Sequence, residues 1–367
     1  MLNLDKAVRH SDQHIRIARK MLTREQRHGM GAALVSIYRE VALARYQGHE
    51  KRFQSPHSAL CAGGLTRQMW VLKKPFGKMR RGDKVLRRAL HDHMVEQGAE
   101  FRSIRFPKDN AVKAALAKMA RVIAPLHHDA QYGFVPQRDC VQSAALHGNA
   151  RTVFLLDFEN AFDQVTEGEV SRILEKVFLV NHQDAARIAQ LCCHEGRLYQ
   201  GNPMAPALFN VRALWCVDRL ARLCESNGAV CTVYADDVTI SHARWSHFSK
   251  GFQRTALRII REYGLSVNQA KCKVAQVSPR KIGHYDITGL TVDFDPDTGR
   301  PLVRPLHRRR VLSKAQYMRY LQSKGILFSS ETAKDGTLKE LEAVEAGLRN
   351  WAKRKGEPPG TQLALTC

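Results

Sequence analysis

Two adjacent aspartates, Asp236 and Asp237, stand at the centre of the apolar, β-branched stretch VYADDVTIS at 233–241. Val233, Tyr234, Val238 and Ile240 are strand residues, and a polar break of about two positions between such runs is the pattern of a tight hairpin. Both carboxylates then lie on or beside the turn. Like charges held that close repel, so the arrangement costs stability unless a cation sits between them, and a divalent metal is the natural one. A third carboxylate, Asp157, ends the apolar run TVFLL about 80 residues earlier, a separation typical of groups that meet only on folding. Alone, such a residue is equally a strand-end cap. Together, three carboxylates from neighbouring strands can hold two Mg²⁺ ions roughly 3.5–4 Å apart, with Mn²⁺ as the alternative ion. One ion lowers the pKa of an attacking hydroxyl and both brace a phosphate during in-line displacement. The chemistry is nucleotidyl transfer.

The rest of the 367-residue chain says what such a site would act on. With 58 Lys+Arg against 35 Asp+Glu the net charge is +23, and the usual partner of such an excess is a polyanion, because each phosphate contact releases condensed counterions. At 44% hydrophobic and 25% charged residues the chain is an ordinary globular protein, not a disordered one. No apolar run is long enough to span a bilayer, and the charged N-terminus MLNLDKAVRHSDQHIR is unlike a signal peptide. A cytoplasmic protein without membrane contact is expected. The nine cysteines include no C-x-x-C pair and read as reduced thiols in apolar surroundings.

The elements that must position the aspartates follow from periodicity. Residues 1–60 carry helical spacing and many basic residues. Arg67–Arg88 holds nine basic residues against one acid, Asp83, which is either a solvated face or a phosphate-facing surface. A short strand follows near FRSIRFP, then a helix with Val112, Leu116, Met119 and Ile123 on one face. Val153–Leu156 is a buried strand; a helix starts near Thr166, a Gly-Asn-Pro loop lies at 201–203, and another helix runs through Leu223. After the aspartate hairpin, 248–263 is an amphipathic helix stopped by Gly264. YDITGLTVDFDPDTGRPLVRP reads as strand, turn and strand, and the tail as two helices, the second opened by a Thr337-x-x-Glu340 capping box.

YADD at 234–237, with LLDFENAF at 155–162 and QGNPMAPALFN at 200–210 between them in the expected order, resembles the reverse transcriptases over about Arg102 to Val292. The resemblance implies an α+β, right-hand polymerase fold: a helical extension at 1–60, fingers at 61–150 with 181–213 at the fingers–palm junction, a palm of antiparallel sheet plus helices at 151–300, and a small helical, RNA-binding thumb at 301–367. It implies Asp157, Asp236 and Asp237 as the metal-binding catalytic triad, with the carbonyl of Phe158 as a further ligand. Phe162 stands where the family places the aromatic that excludes a ribose 2′-hydroxyl. Gln200, Gly201 and Asn210 belong to the loop and helix packed against the nascent pair, and Gly201 lets backbone approach a nucleotide closely. The chain departs from the pattern at Ala205, where Ser normally precedes Pro206. Lys271, in YGLSVNQAKCKV, takes the place of a lysine near the incoming triphosphate, and Arg102 and Arg105 are the candidates for gripping it, since a guanidinium bonds phosphate in parallel pairs.

Length leaves no room for an RNase H, protease or maturase region, so a short stand-alone bacterial enzyme is expected. SAALH (143–147) and ITGL (287–290) resemble, imperfectly, the N-A-x-x-H and V-T-G elements of retron reverse transcriptases. That likeness implies a structured non-coding RNA as template and primer, dNTPs as substrates, an RNA-linked single-stranded DNA product, and an effector protein encoded nearby in anti-phage defence. His147, Thr288, Gly289, Arg304, Arg308, Arg309 and Arg310 are the expected RNA contacts. Another bacterial defence-type or unclassified reverse transcriptase is the first alternative. A polymerase fold that holds RNA without chemistry is the second, and the intact triad argues against it.

Overall fold

The structure is a computed structural model that describes residues 13–47, 49–62, 64–74, 100–276, 285–288, 290–294 and 301–305. Among the described residues three helices come first: α1 (Gln13–Met21), α2 (Arg24–Tyr46), opened by a Thr23–Gln26 capping box, and α3 (Pro56–Cys61). An antiparallel ribbon follows, β1 (Thr66–Lys74) against β2 (Glu100–Pro107). Helix α4 (Asn110–Ile123) buries the face expected from its spacing, Val112, Leu116, Met119 and Ile123. The short helix α5 (Cys140–Ala145) leads into β3 (Thr152–Asp157).

Between β3 and the aspartate hairpin run α6 (Glu167–Lys176), α7 (His182–Cys192), the small hairpin β4 (Cys193–His194) and β5 (Arg197–Leu198), and the long helix α8 (Ala205–Glu225). Then come β6 (Val230–Tyr234), β7 (Asp237–His242), α9 (Lys250–Glu262), β8 (Lys273–Gln276) and three short strands, β9 (Tyr285–Ile287), β10 (Leu290–Phe294) and β11 (Pro301–Pro305). Strands β6-β7-β3-β8 form one antiparallel sheet with β3 and β7 at its centre. Five of the six β3 residues are buried, so this strand is apolar almost throughout rather than alternating.

Three devices hold this sheet and the helices around it. The first is a loop that acts as an extra strand beside β6: Val233 N–H donates to Ala130 O (2.7 Å) and Tyr132 N–H donates to Val233 O (2.8 Å). Gly133 lies so close that a Cβ there would come within 2.1 Å of the Ala235 nitrogen. The second is His147, 1% exposed, with its ring nitrogens 2.6 Å from Ser241 Oγ and 2.8 Å from Thr232 Oγ1; Ser143 Oγ lies 3.0 Å from the same Thr232 hydroxyl. The third is Arg212, 7% exposed, bonded to Glu169 Oε1 (2.7 Å) and Tyr263 O (2.8 Å), which ties α6, α8 and the end of α9 together. Burial disfavours the Glu169 charge, but Arg212 and the Thr166 hydrogen bonds outweigh it and hold the carboxyl below its usual range. Removing one partner of such a pair is costly because the other charge is left buried.

Two features differ from the sequence expectation. The stretch after α6 holds a second helix, α7, and the β4–β5 hairpin, whose turn residues Glu195 and Gly196 both have positive φ (52° and 76°). The expected strand-turn-strand after 284 is three strands, because Thr288 turns the chain between β9 and β10. The tail helices expected from about 311 to 355 lie outside the described residues. Among the described residues no helix is long and apolar enough to cross a membrane.

Gly133→Ala should destabilise the protein by about 1–3 kcal/mol, the range for overpacking against fixed backbone. Gly29→Ala, in α2 with nothing within 4 Å of the added Cβ, should stabilise by roughly 0.5–1 kcal/mol. Thermal melts of both variants check the contrast; equal melting temperatures would contradict it.

Candidate active site

The last residue of β3, Asp157, is the direct cross-strand partner of the first residue of β7, Asp237. Tyr234 pairs with Asp237 on the other side, so the hairpin loop is the two residues Ala235 and Asp236. Asp237 thus belongs to a strand, and the left-handed turn position falls on Ala235 (φ 57°) rather than on an aspartate. Main-chain bonds fix the three carboxylate-bearing residues: Phe158 N–H donates to Asp236 O (2.8 Å), and Asn268 N–H donates to Asp157 O (2.8 Å). The ladder therefore sets Asp157 opposite Asp237 whatever their charges prefer.

The electrostatics register that constraint. Burial first, then the charges of Asp236 and Asp157, push the Asp237 carboxyl up to about 6 from an ordinary 3.8, against the pull of Lys271. The Lys271 ammonium stands 2.7 Å from Asp157 Oδ2. Among the described residues no three His, Cys, Asp or Glu side chains converge closely enough to hold a metal ion as they stand. Asp157 is engaged by the lysine instead. The donor set still fits a hard divalent cation: all the donors are oxygens, the charge is under-compensated at Asp237, and a cation already occupies Asp157. Release of Asp157 by Lys271 is the change a metal would require.

Asp157 and Asp236, though not Asp237, open on a cleft of about 760 Å³ that Arg105, Phe134, Phe162, Asp163, Arg197, Gln200, Asn268 and Lys271 also line. Phe162 packs edge-on against Phe209, ring centres 6.0 Å apart, and Phe158 meets the same ring at 5.7 Å. Gln200 lines the cleft, and its carbonyl accepts the Arg105 N–H (2.8 Å). Gly201 has φ 98°, and a Cβ on it would lie 2.1 Å from Arg105 O. The close approach that requires glycine here is to the β2 backbone, so the loop is riveted to the ribbon.

Other expected residues lie elsewhere. Asn210 is buried and its Nδ2 donates to Gly133 O (2.9 Å), so it supports the loop behind the hairpin rather than the cleft. His147 cannot meet RNA from its buried position; burial pushes its imidazole down to about 3, and the neutral ring serves as a strut. The SAALH and ITGL segments do come near one another, since α5 lies against β10 and β11. Thr288 has φ 49° and donates its hydroxyl to Ile287 O (2.8 Å), away from the cleft lining. Arg102 sits on β2 opposite Val71 and Arg304 on β11 opposite Thr291, their side chains outside the described residues. Gly289, Arg308, Arg309 and Arg310 also lie outside them.

Sequence reasoning missed Phe134, Asp163, Arg197 and Asn268. Arg197 Nη1 donates to Asp163 O (2.7 Å), bracing the segment just after Phe162. The positively charged hairpin residue and the polar VNQAK turn were the available signals, but neither declares its position without the fold.

Comparison with known proteins gives a consistent picture. Residues 97–321 match the family described as reverse transcriptase (RNA-dependent DNA polymerase). The chain is similar to the retron Ec48 reverse transcriptase of Escherichia coli, 26% identical over 160 residues, covering 43% of this chain and 38% of that protein. It is 32% identical over 180 residues to the retron Mx65 reverse transcriptase of Myxococcus xanthus, 44% of this chain and 41% of that one. The retron Ec86 reverse transcriptase of Escherichia coli is 27% identical over 161 residues, 44% of this chain and 48% of its own length. The chain thus spans less than half the length of each of these relatives.

Because the folded carboxyl of Asp237 titrates near 6, above its ordinary value, its ionised form opposes folding above that pH, and the penalty fades as pH falls from 6 toward 4. In EDTA, Asp237→Asn should raise the melting temperature by several degrees at pH 7.5, with the gain shrinking to near zero at pH 4. A pH-independent gain, or a loss at pH 7.5, would contradict the assigned burden of charge.

Proposed function

The chain belongs to the reverse transcriptase (RNA-dependent DNA polymerase) family, and from that premise we propose that it copies RNA into DNA by nucleotidyl transfer at the Asp157–Asp236–Asp237 cleft. The observation that carries the proposal is the register that pairs Asp157 with Asp237 and turns the chain at Asp236 beside a cleft large enough for a nucleotide. An aspartate pair at this cost of charge serves a bound cation better than it serves the fold.

In this reading Asp157, Asp236 and Asp237, with the Phe158 carbonyl, would hold two Mg²⁺ ions. Their chemistry is to lower the pKa of a primer hydroxyl and to balance charge at the reacting phosphate. Arg105 reaches phosphate oxygens from the ribbon side of the cleft, a role that suits a guanidinium fork. Lys271 gives up Asp157 and turns to the anionic substrate. Phe162, set by the Phe209 ring, occupies the space of a ribose 2′-hydroxyl and so favours dNTPs. Gln200 contributes to the wall beside the nascent pair.

The four-stranded sheet with α6, α8 and α9 would be the palm, at 151–300. The β1–β2 ribbon and the chain to 150 would be the fingers, with 181–213 at their junction, residues 1–60 a helical extension and 301–367 a thumb. Similarity to proteins named as retron reverse transcriptases supports the narrower reading: a structured non-coding RNA serving as template and primer, and an RNA-linked single-stranded DNA product. A neighbouring effector in anti-phage defence belongs to the same proposal, as do cytoplasmic location and RNA contacts by Arg304 and Arg308–Arg310.

Two measurements test it. The protein should incorporate dNTPs on a primed RNA template only with Mg²⁺ or Mn²⁺, and Asp236→Asn/Asp237→Asn should reduce incorporation to background; incorporation by that variant at the wild-type rate would overturn the site. Phe162→Ala should raise ribonucleotide use relative to dNTP by about tenfold or more, the effect of removing a steric clash worth at least ~1.4 kcal/mol. An unchanged ratio would remove Phe162 from the role.

A further inference from the structure

Phe134 carries no part of the chemistry above, yet it is placed with unusual care. Its side chain is 56% exposed, and among the described residues it is the only aromatic among the large hydrophobics so exposed. It lines the same cleft as Asp157, Asp236 and Ala235. Its φ is 58°, the left-handed region that a bulky side chain enters only under constraint.

The constraint comes from both sides. Before it, Gly133 is wedged on the Ala235 backbone and its carbonyl takes the Asn210 amide. Gln131 Nε2 donates to Asn210 O (2.9 Å), and the Arg138 guanidinium donates to Gln131 O (2.9 Å) and Asp129 O (2.5 Å). After it, Val135 is buried. These bonds, two of them buried, hold the segment while the Phe134 ring is turned out into the cleft and the neighbouring Tyr132 ring lies under the Arg138 guanidinium. Left to itself, a phenylalanine gains by covering its ring, and strain kept at an exposed position marks use rather than packing.

We propose that Phe134 is a stacking platform for a nucleobase of the RNA strand being copied. The position selects a base over a phosphate. The loop carrying Phe134 runs along the outer edge of β6, whereas Lys271 precedes β8 at the opposite edge of the sheet order β6-β7-β3-β8. The cationic side of the cleft takes the phosphates, and the apolar ring at the other side meets the flat face of a base. Stacking is indifferent to base identity, as copying an arbitrary template demands. The platform is attached through Gly133 to the turn bearing Asp236, so it fixes the base relative to the reacting groups.

This inference rests on the proposed polymerase function, and the experiment separates the two. An RNA template carrying 5-iodouridine at the templating position, or at the next unpaired position, is annealed to a DNA primer, bound to the full chain and irradiated, and the adduct is mapped by mass spectrometry. The adduct should fall on Phe134. Phe134→Leu should abolish it and raise the KM for primer–template about tenfold with little change in the KM for dNTP, and Phe134→Trp should restore the KM. An adduct elsewhere, or a Phe134→Leu variant with unchanged KM for primer–template, overturns the platform while leaving the polymerase reading intact. If the wild type binds no primed RNA, both fall together.

Discussion

Everything in this molecule is arranged around one unfavourable contact: two carboxylates, Asp157 and Asp237, held opposite each other by the hydrogen-bond ladder of adjacent strands, with a third on the turn between β6 and β7. Side-chain repulsion cannot relieve it, because the backbone ladder sets the register and β3 is buried on both faces. Val153, Phe154 and Leu156 of β3, with Val238 and Ile240 of β7, are each 3% exposed or less, and that burial is what holds the carboxylates in place. The strain shows as a raised Asp237 carboxyl and as a lysine drawn onto Asp157. A divalent cation bound among these oxygens would lower that energy.

The supporting structure explains why so many polar residues are buried near this point. His147, Thr232, Ser241 and Ser143 form a satisfied network behind the hairpin, and Asn210 and Gln131 secure the loop beside it. Each bond joins segments far apart in sequence, 77 to 94 residues for all five. Such networks give a fixed geometry when every member is paired. Gly133 and Gly201 do the same by removing a side chain: one lets a loop seat on the turn between β6 and β7, the other lets the loop after β5 seat on β2.

Much of this was legible beforehand, and the limits have physical causes. Runs with strong period, such as the α4 face and the apolar β3 strand, show themselves because burial acts on one residue after another. The aspartate pair was legible because nothing else about an apolar hairpin calls for it. Likeness of motif set Asn210 and Gly201 against the nascent pair and His147 on the RNA, but what each meets in the fold is a neighbour distant in sequence, and local sequence does not carry that. Phe134 was missed for the same reason: YGFVP reads as a Gly/Pro loop, and only the fold shows its ring facing the aspartates. The β4–β5 hairpin escaped because strands of two residues have no period to read.

The central claim, that the strand register builds a divalent-cation site from these three aspartates, is tested most directly by iron-mediated cleavage. Fe²⁺ bound in place of Mg²⁺ and cycled with ascorbate and peroxide cuts the backbone near the ion, and mass spectrometry maps the cuts on the intact protein. Cuts clustered beside Asp157 and Asp236, suppressed by excess Mg²⁺ and absent from Asp157→Asn, are the expected result. Cleavage elsewhere, or cleavage at these positions that neither Mg²⁺ nor the substitution removes, would contradict it.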